Sequence, residues 1–186
     1  MIIGITGRGG SGKSTIARYL CSKNPTYKYI EVDNLVEKKV FKSKRLLEKV
    51  NKYYKDKKYD INDIVSCYFK ADEKSKIIHS FFMEEVNDII REELIKRKGG
   101  NIIVDWFLLH KLSIFDEMDV KVLVKLDKKK RIERASSRND SESIKKFLEV
   151  DKYYDDIYKG KYNYIIYNDD FDFKIFDKII KSGDEV

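Results

Sequence analysis

The chain has little of what marks secreted, fibrous or membrane proteins. It carries two cysteines, Cys21 and Cys67. Two thiols make no disulfide framework, and neither sits at a metal-ligand spacing. Pro25 is the only proline, so no Pro-rich hinge divides the chain. No apolar run approaches the ~18 residues of a membrane span. An apolar strand signal starts at Met1 and leaves no room for a secretory leader. The expected setting is a reducing, cytoplasmic one, with no membrane partner. Internal repeats and low-complexity linkers are also missing.

The 186 residues, 42% of them hydrophobic, suffice for one domain with a substantial core. Lys and Arg outnumber Asp and Glu by 39 to 32, a net charge of +7. The lysines are spread along the whole chain, so the excess reads as a compositional bias rather than a patch. Nucleic acid is therefore not expected as a partner, whereas nucleotide phosphates need only a local positive site.

One stretch supplies that site. Gly7-Arg8-Gly9-Gly10-Ser11-Gly12-Lys13-Ser14 fits G-x-x-x-x-G-K-[ST], the phosphate-binding P-loop. Average residue usage yields this pattern by chance in roughly one chain per hundred of this length, and the flanks narrow it further. Met1–Thr6 reads as a short buried strand and Ser14–Leu20 as the first turns of a helix. That order lets successive backbone N–H groups and a helix N-terminus converge on an anion. The glycines permit close approach and φ values that a Cβ forbids. Lys13 is the expected phosphate-binding cation, and the Ser14 hydroxyl the expected Mg²⁺ ligand. Thr15 completes the nucleotide-binding stretch.

The rest of the chain alternates strands and helices. Asn24-Pro25-Thr26 is a turn, and Tyr27–Val32 alternates as a second strand. Asp33 follows directly, at the strand end where ligands bind in open α/β sheets. Position alone suits it equally to a phosphate-facing role and to a helix N-cap. Residues 37–70 read as short helices outside the main rhythm, an insert able to cover an acceptor. Within them, Lys52–Tyr59 interleaves bases with aromatics. That pattern suits stacking on a nucleotide or single strand, but a solvated surface turn is the simpler reading.

Residues 72–98 form the clearest helix, with Ile77, Ile78, Phe81, Phe82, Val86, Ile89, Ile90 and Leu94 at three- and four-residue spacing and Gly99-Gly100 as its end. Asn101–Val104 is a third strand closing on Asp105, an apolar run ending in an acid that suits Mg²⁺ binding directly or through water. Trp106, His79 and His110 read as structural. Val120–Leu126 is a fourth strand. Asp127 caps a helix whose Arg131, Arg134 and Arg138 share one face and are placed to clamp phosphoryl oxygens. Residues 139–143 suit a mobile lid, and a helix resumes over 144–158. Tyr162–Tyr167 is a fifth strand, with a final helix carrying Phe173, Phe176, Ile179 and Ile180. Five strand-helix repeats imply a mainly parallel sheet covered on both faces.

Read in this order, the chain resembles the dephospho-coenzyme A kinases, within the nucleoside- and nucleotide-kinase group. Ile3-Gly4-Ile5-Thr6-Gly7 through Ser14-Thr15 resembles that family's opening strand and P-loop. Ile30-Glu31-Val32-Asp33 is similar to its Asp-x-Asp element, and Val104–Leu109 to its segment ending Pro-Leu-Leu-Phe-Glu. Arg134-Ala135-Ser136-Ser137-Arg138-Asn139 resembles its Arg-x-x-x-Arg-Asp lid start, and Tyr164–Asn168 its late strand ending in Asn. The departures are Glu31 for the first Asp, Phe107 for Pro, His110-Lys111 for Phe-Glu and Asn139 for Asp. The helix after the lid also lacks the expected Gln.

The resemblance implies a three-layer α/β/α P-loop fold with a five-stranded sheet in order 2-3-1-4-5. It implies a single kinase domain over 1–186, with a helical acceptor-side insert at 37–98 and a lid at 138–158. ATP and Mg²⁺ are the implied cofactors. Gly7, Arg8, Gly9, Gly10, Ser11, Gly12, Lys13, Ser14 and Thr15 would bind the nucleotide, and Ser14 and Asp105 the metal. Lys13, Asp33, Arg134 and Arg138 would carry catalysis, with Asp33 as general base toward an acceptor hydroxyl. The best acceptor is the ribose 3'-hydroxyl of dephospho-coenzyme A, used by a monomer or weak homo-oligomer. A nucleoside or nucleoside-monophosphate kinase, such as a uridine, cytidylate or nicotinamide riboside kinase, shares every motif. A regulatory GTPase would need an Asp-x-x-Gly switch and an Asn/Thr-Lys-x-Asp guanine reader, and neither is present. A nucleic-acid-binding ATPase would rely on the basic surface.

Overall fold

The computed structural model describes residues 1–67, 72–137 and 155–169. The chain forms two compact units, one of Met1–Glu31 with Gly99–Val186 and one of Val32–Lys98.

The first unit is built on a sheet of β1 (Ile2–Gly7), β2 (Tyr27–Glu31), β3 (Asn101–Asp105), β4 (Val120–Lys125) and β5 (Tyr164–Tyr167). The strands are parallel and lie in the order β2-β3-β1-β4-β5. The chain's most apolar strand takes the centre, with Ile3 and Ile5 fully buried. The edge strand β5 alternates instead, with Ile166 buried between the exposed Ile165 and Tyr167. α1 (Lys13–Lys23) lays Ile16, Ala17 and Leu20 against Ile3, Ile5, Ile103, Val122 and Val124, which form the core of this unit. Asp127 caps α6 (Lys128–Ser136) as its sequence predicts, its carboxylate accepting from Lys129 N at 2.8 Å.

The register decides what the sheet presents at its C-terminal edge. Ile5 pairs with Asp105 and Gly7 with Val124. The P-loop therefore leaves β1 beside the acid that ends β3. Trp106 is 2% exposed and belongs to the core, as expected.

The second unit is helical: α2 (Val32–Lys38), a 3₁₀ turn at Val40–Lys42, α3 (Lys44–Tyr53), α4 (Ile61–Cys67) and α5 (Glu73–Lys96). α5 starts where Asp72 accepts from Ser75 N at 2.9 Å. Its inward residues Ile78, Phe82, Val86 and Ile90 are buried, as are Val40, Leu46 and Val50. Arg45 on α3 bonds Glu85 of α5 through Nε at 2.8 Å, and Ser43 Oγ donates to the same carboxylate at 2.6 Å.

Two expectations move. Val32 starts α2 instead of ending β2; it is fully buried, and burial alternation alone does not tell a strand's last residue from a helix's first. Asp33 accordingly sits inside the first turn of α2 rather than before the helix as its N-cap. There its charge favours the helix dipole. The basic-aromatic stretch is an internally braced surface turn. Tyr59 is buried, Lys74 Nζ stands over the rings of Tyr54 and Tyr59 at 5.0 and 4.9 Å, and Tyr53 packs edge-on to Phe81. Tyr53 remains more than half exposed.

Arg138, the expected lid at 139–143 and the final helix carrying Phe173–Ile180 lie outside the described residues. So does most of the helix expected over 144–158, whose last part, Asp155–Lys159, is a 3₁₀ turn. No helix among the described residues is long and apolar enough to cross a membrane.

Asn51 pins the turn after α3. Its amide donates to the Leu47 and Tyr59 carbonyls at 2.9 and 3.1 Å and accepts from Tyr59 N at 2.7 Å. Asn51→Ala strips those partners and is expected to lower unfolding free energy by about 1–3 kcal/mol, read as a lower urea midpoint.

Candidate active site

The P-loop must offer N–H groups to an anion, so its carbonyls have to be held elsewhere. Two side chains do this. Arg131 of α6, 3% exposed, donates from Nη1 to the Gly9 carbonyl at 3.2 Å. Asn168, just past β5 and buried, donates from Nδ2 to the Ser11 carbonyl at 2.7 Å. In a trans peptide the next N–H points away from the carbonyl. The N–H groups of Gly10 and Gly12 are thereby aimed away from these braces, the arrangement of an anion-binding nest. The turn itself closes with Ser11 N on Arg8 O at 3.1 Å.

Glycine is required at two of these positions for stated reasons. Gly12 has φ +95°, and a Cβ there would lie 2.2 Å from Asn168 Nδ2. Gly10 has φ +73°, with a Cβ 3.0 Å from the Arg131 carbonyl oxygen. At Gly12 the bracing amide of Asn168 itself leaves no room for a side chain, and at Gly10 the backbone of Arg131 leaves little.

Lys13 opens α1, and its Nζ donates back to the Arg8 carbonyl at 3.3 Å. The Arg134 guanidinium reaches the same helix end, Nη1 lying 3.7 Å from where a Gly12 Cβ would stand. The Arg8 guanidinium covers the Tyr158 ring at 5.1 Å. Thr15 lies exposed one residue past Ser14.

Ser14 and Asp105 meet. Ser14 Oγ donates to Asp105 Oδ2 at 2.7 Å, and Asp105 is 2% exposed. A buried carboxylate needs such donors to stay ionised. The Tyr29 phenol of β2 lies beside the pair, and its pKa is pushed up by burial and then by the Asp105 charge.

Of the expected site residues, the structure thus brings together Gly7–Ser14, Asp105 and Arg134. Asp33 belongs to the helical unit, and Arg138 lies outside the described residues. Sequence reasoning missed the bracing role of Arg131 and the nearness of Tyr29 to Ser14 and Asp105. The first had a signal, the Arg131-Arg134 spacing on one face. The second had none, since a tyrosine in an alternating strand looks like any other.

His110 proves more connected than a lone structural histidine. Nδ1 lies 3.5 Å from Thr6 Oγ1 and Nε2 3.5 Å from Asp156 Oδ1, and Lys111 Nζ bonds the same carboxylate at 3.0 Å. It sits where the family resemblance breaks down.

Residues 3–157 match the AAA domain family. The chain belongs to that family. This AAA domain protein is also similar to a dephospho-CoA kinase of Borreliella burgdorferi, at 25% identity over 158 residues that cover 82% of the chain and 77% of the relative. Among solved structures it is similar to TT1252 from Thermus thermophilus, with a TM-score of 0.70 and 21% identity over 98% of this chain and 95% of that one. It is similar as well to deoxyadenosine kinase from M. mycoides with bound dATP, with a TM-score of 0.54 and 17% identity over the whole of both chains. A shikimate kinase from Acinetobacter baumannii gives a TM-score of 0.56 at 12% identity, over 97% of this chain and 91% of that one. The fold of this AAA domain protein is that of the P-loop kinases, with the strand order that the resemblance implied.

Burial holds the His110 imidazole below its ordinary 6.5, with Asp156 pulling the other way. The unfolded chain therefore takes up this proton at higher pH than the folded one. The resulting stability is present above about pH 6.5 and is lost as pH falls through the lowered value. His110→Gln removes the effect. Its melting temperature is expected to fall less than the parent's between about pH 7.5 and about pH 5, measured by thermal scans.

Proposed function

We propose that this chain is an ATP-dependent kinase that transfers a phosphoryl group to a hydroxyl of a small nucleotide-like acceptor, with the ribose 3'-hydroxyl of dephospho-coenzyme A as the leading acceptor. The observation that carries the reading is the braced P-loop with Lys13 at its helix end and the Ser14–Asp105 pair 2.7 Å apart beside it. The Borreliella burgdorferi relative, a dephospho-CoA kinase by name, supports the acceptor.

In this reading the loop's N–H groups and Lys13 hold the β- and γ-phosphates. Arg134 adds positive charge at the same helix end, and Arg138 would join it from beyond α6. Transfer of a phosphoryl group asks the protein mainly for positioning and charge stabilisation, which fixed N–H groups and guanidinium groups supply without reorganising. Asp33, two residues past the end of β2, is the general base that takes the acceptor's hydroxyl proton. The helical insert at 37–98 would supply the acceptor side.

The donor set suits Mg²⁺, since a serine hydroxyl and a carboxylate are hard oxygen ligands. Ser14 and Asp105 would hold it, the latter directly or through water. When bound, the ion neutralises phosphate charge. Ser14 keeps its proton on Asp105 and offers a lone pair outward, and the buried setting of Asp105 preserves its orientation.

A nucleoside or nucleoside-monophosphate acceptor is the second reading. It is favoured by the residues that depart from the dephospho-coenzyme A kinase pattern, Phe107, His110 and Lys111, of which His110 and Lys111 share the Asp156 carboxylate. Such a change past β3 would alter the acceptor while keeping the chemistry.

The test is ADP release from Mg-ATP with dephospho-coenzyme A, CMP, UMP, dTMP, uridine or nicotinamide riboside as acceptor. Turnover with dephospho-coenzyme A alone is expected, and Lys13→Ala should abolish it. Turnover confined to a nucleoside or nucleotide selects the second reading. Asp33→Asn should lose at least about a hundredfold in kcat while still binding ATP; unchanged turnover removes Asp33 from the mechanism.

A further inference from the structure

Two residues on separate elements hold the carbonyls of the phosphate loop, and each has a charged neighbour. Lys130 precedes Arg131 on α6, and Asp169 follows Asn168 past β5. The neighbours meet, with Lys130 Nζ bonding Asp169 Oδ1 at 2.9 Å. The contact ties the helix that carries one brace to the segment that carries the other.

The tie falls where the sheet stops giving support. The ladder between β4 and β5 ends with Lys125 opposite Tyr167. Asn168 keeps one backbone bond to β4, its N–H donating to the Lys125 carbonyl at 2.8 Å. Asp169 lies past that bond, and its carboxylate reaches across to α6. On the other side, Arg131 is held by its helix, its N–H donating to the Asp127 carbonyl at 3.0 Å. A hydrogen bond weakens steeply as its angle and length drift. The braces on Gly9 and Ser11 therefore need their two backbones kept in register with each other.

The sign of Asp169 also asks for a reason. A carboxylate one residue from a brace opposes phosphate by its own field, and a neutral residue would not. The acid is accounted for if its pair with Lys130 gives more to the loop's geometry than its field takes away. Such a half-exposed pair adds little to global stability, so its use is in position rather than in holding the fold.

We propose that Lys130 and Asp169 are positioning residues for nucleotide binding: their ion pair fixes α6 against the end of β5, and so keeps Arg131 and Asn168 on the carbonyls of Gly9 and Ser11. The pair acts through the two braces and touches no nucleotide itself. The inference rests on the reading that the loop binds nucleotide phosphates.

The test is ADP binding to the full chain in EDTA by isothermal titration calorimetry, for the parent, Asp169→Asn, Lys130→Gln and the double variant. Asp169→Asn is expected to weaken ADP about two- to fivefold, although it removes a negative charge. In the Lys130→Gln background the same change should leave ADP affinity unchanged or raise it, because the pair is already gone. Parental or tighter ADP binding by Asp169→Asn overturns the proposal, since the acid then acts through its field alone or, if only the melting temperature falls, as a merely structural partner. An equal loss in both backgrounds overturns it too, since Asp169 then acts without Lys130. Lys13→Ala is measured alongside. If the parent does not bind ADP, or Lys13→Ala binds it equally, the nucleotide reading fails and the inference with it. If Lys13→Ala loses ADP and Asp169→Asn does not, the failure belongs to the pair alone.

Discussion

A peptide cannot present its N–H to a phosphate while its carbonyl points the same way. The loop between β1 and α1 meets this constraint by having its carbonyls held from outside. Arg131 takes Gly9 and Asn168 takes Ser11. These braces come from α6 and from the end of β5, so the loop depends on β4 and β5 lying beside β1 in that order. The same residues crowd Gly10 and Gly12, Arg131 through its backbone carbonyl and Asn168 through its side-chain amide. The glycines are thus demanded twice, once by φ and once by the braces.

A second dependence runs through β3. Asp105 stands at the sheet edge because it pairs with Ile5, two residues before the loop starts at Gly7. Burying a carboxylate is unfavourable unless donors meet it. Ser14, from the first turn of α1, is such a donor. Sheet register and helix start thus converge on one hydrogen bond. Near it are the Arg134 guanidinium at the helix end and the Tyr29 phenol.

The helical unit is held differently. Apolar spacing along α5 buries Ile78, Phe82, Val86 and Ile90, and charge pairs tie the short helices to it. Lys39 reaches Glu93 at 2.5 Å, and Arg45 reaches Glu85. Such pairs are weak where exposed, but Glu85 and Glu93 are mostly buried and need the partners to stay there. Several lysines serve here as ties and as caps over aromatic rings.

By itself, the sequence determined what is local and periodic. It was enough for the P-loop, because four fixed positions in eight, between a strand and a helix, encode one backbone path. It was enough for α5, whose repeat needs no partner to be seen, and for β3 ending on Asp105. Strand order was supplied by resemblance, and the ladder bears it out. Sequence did not settle where β2 stops, since Val32 is buried as strand or as helix. Only the tertiary structure decided which side chains hold the loop's carbonyls, which histidine is wired to a carboxylate, and which tyrosine hydroxyl lies against Asp105. Those contacts join residues up to 157 positions apart, and pairings over such distances leave no period along the chain. They exist only once the sheet has set its register.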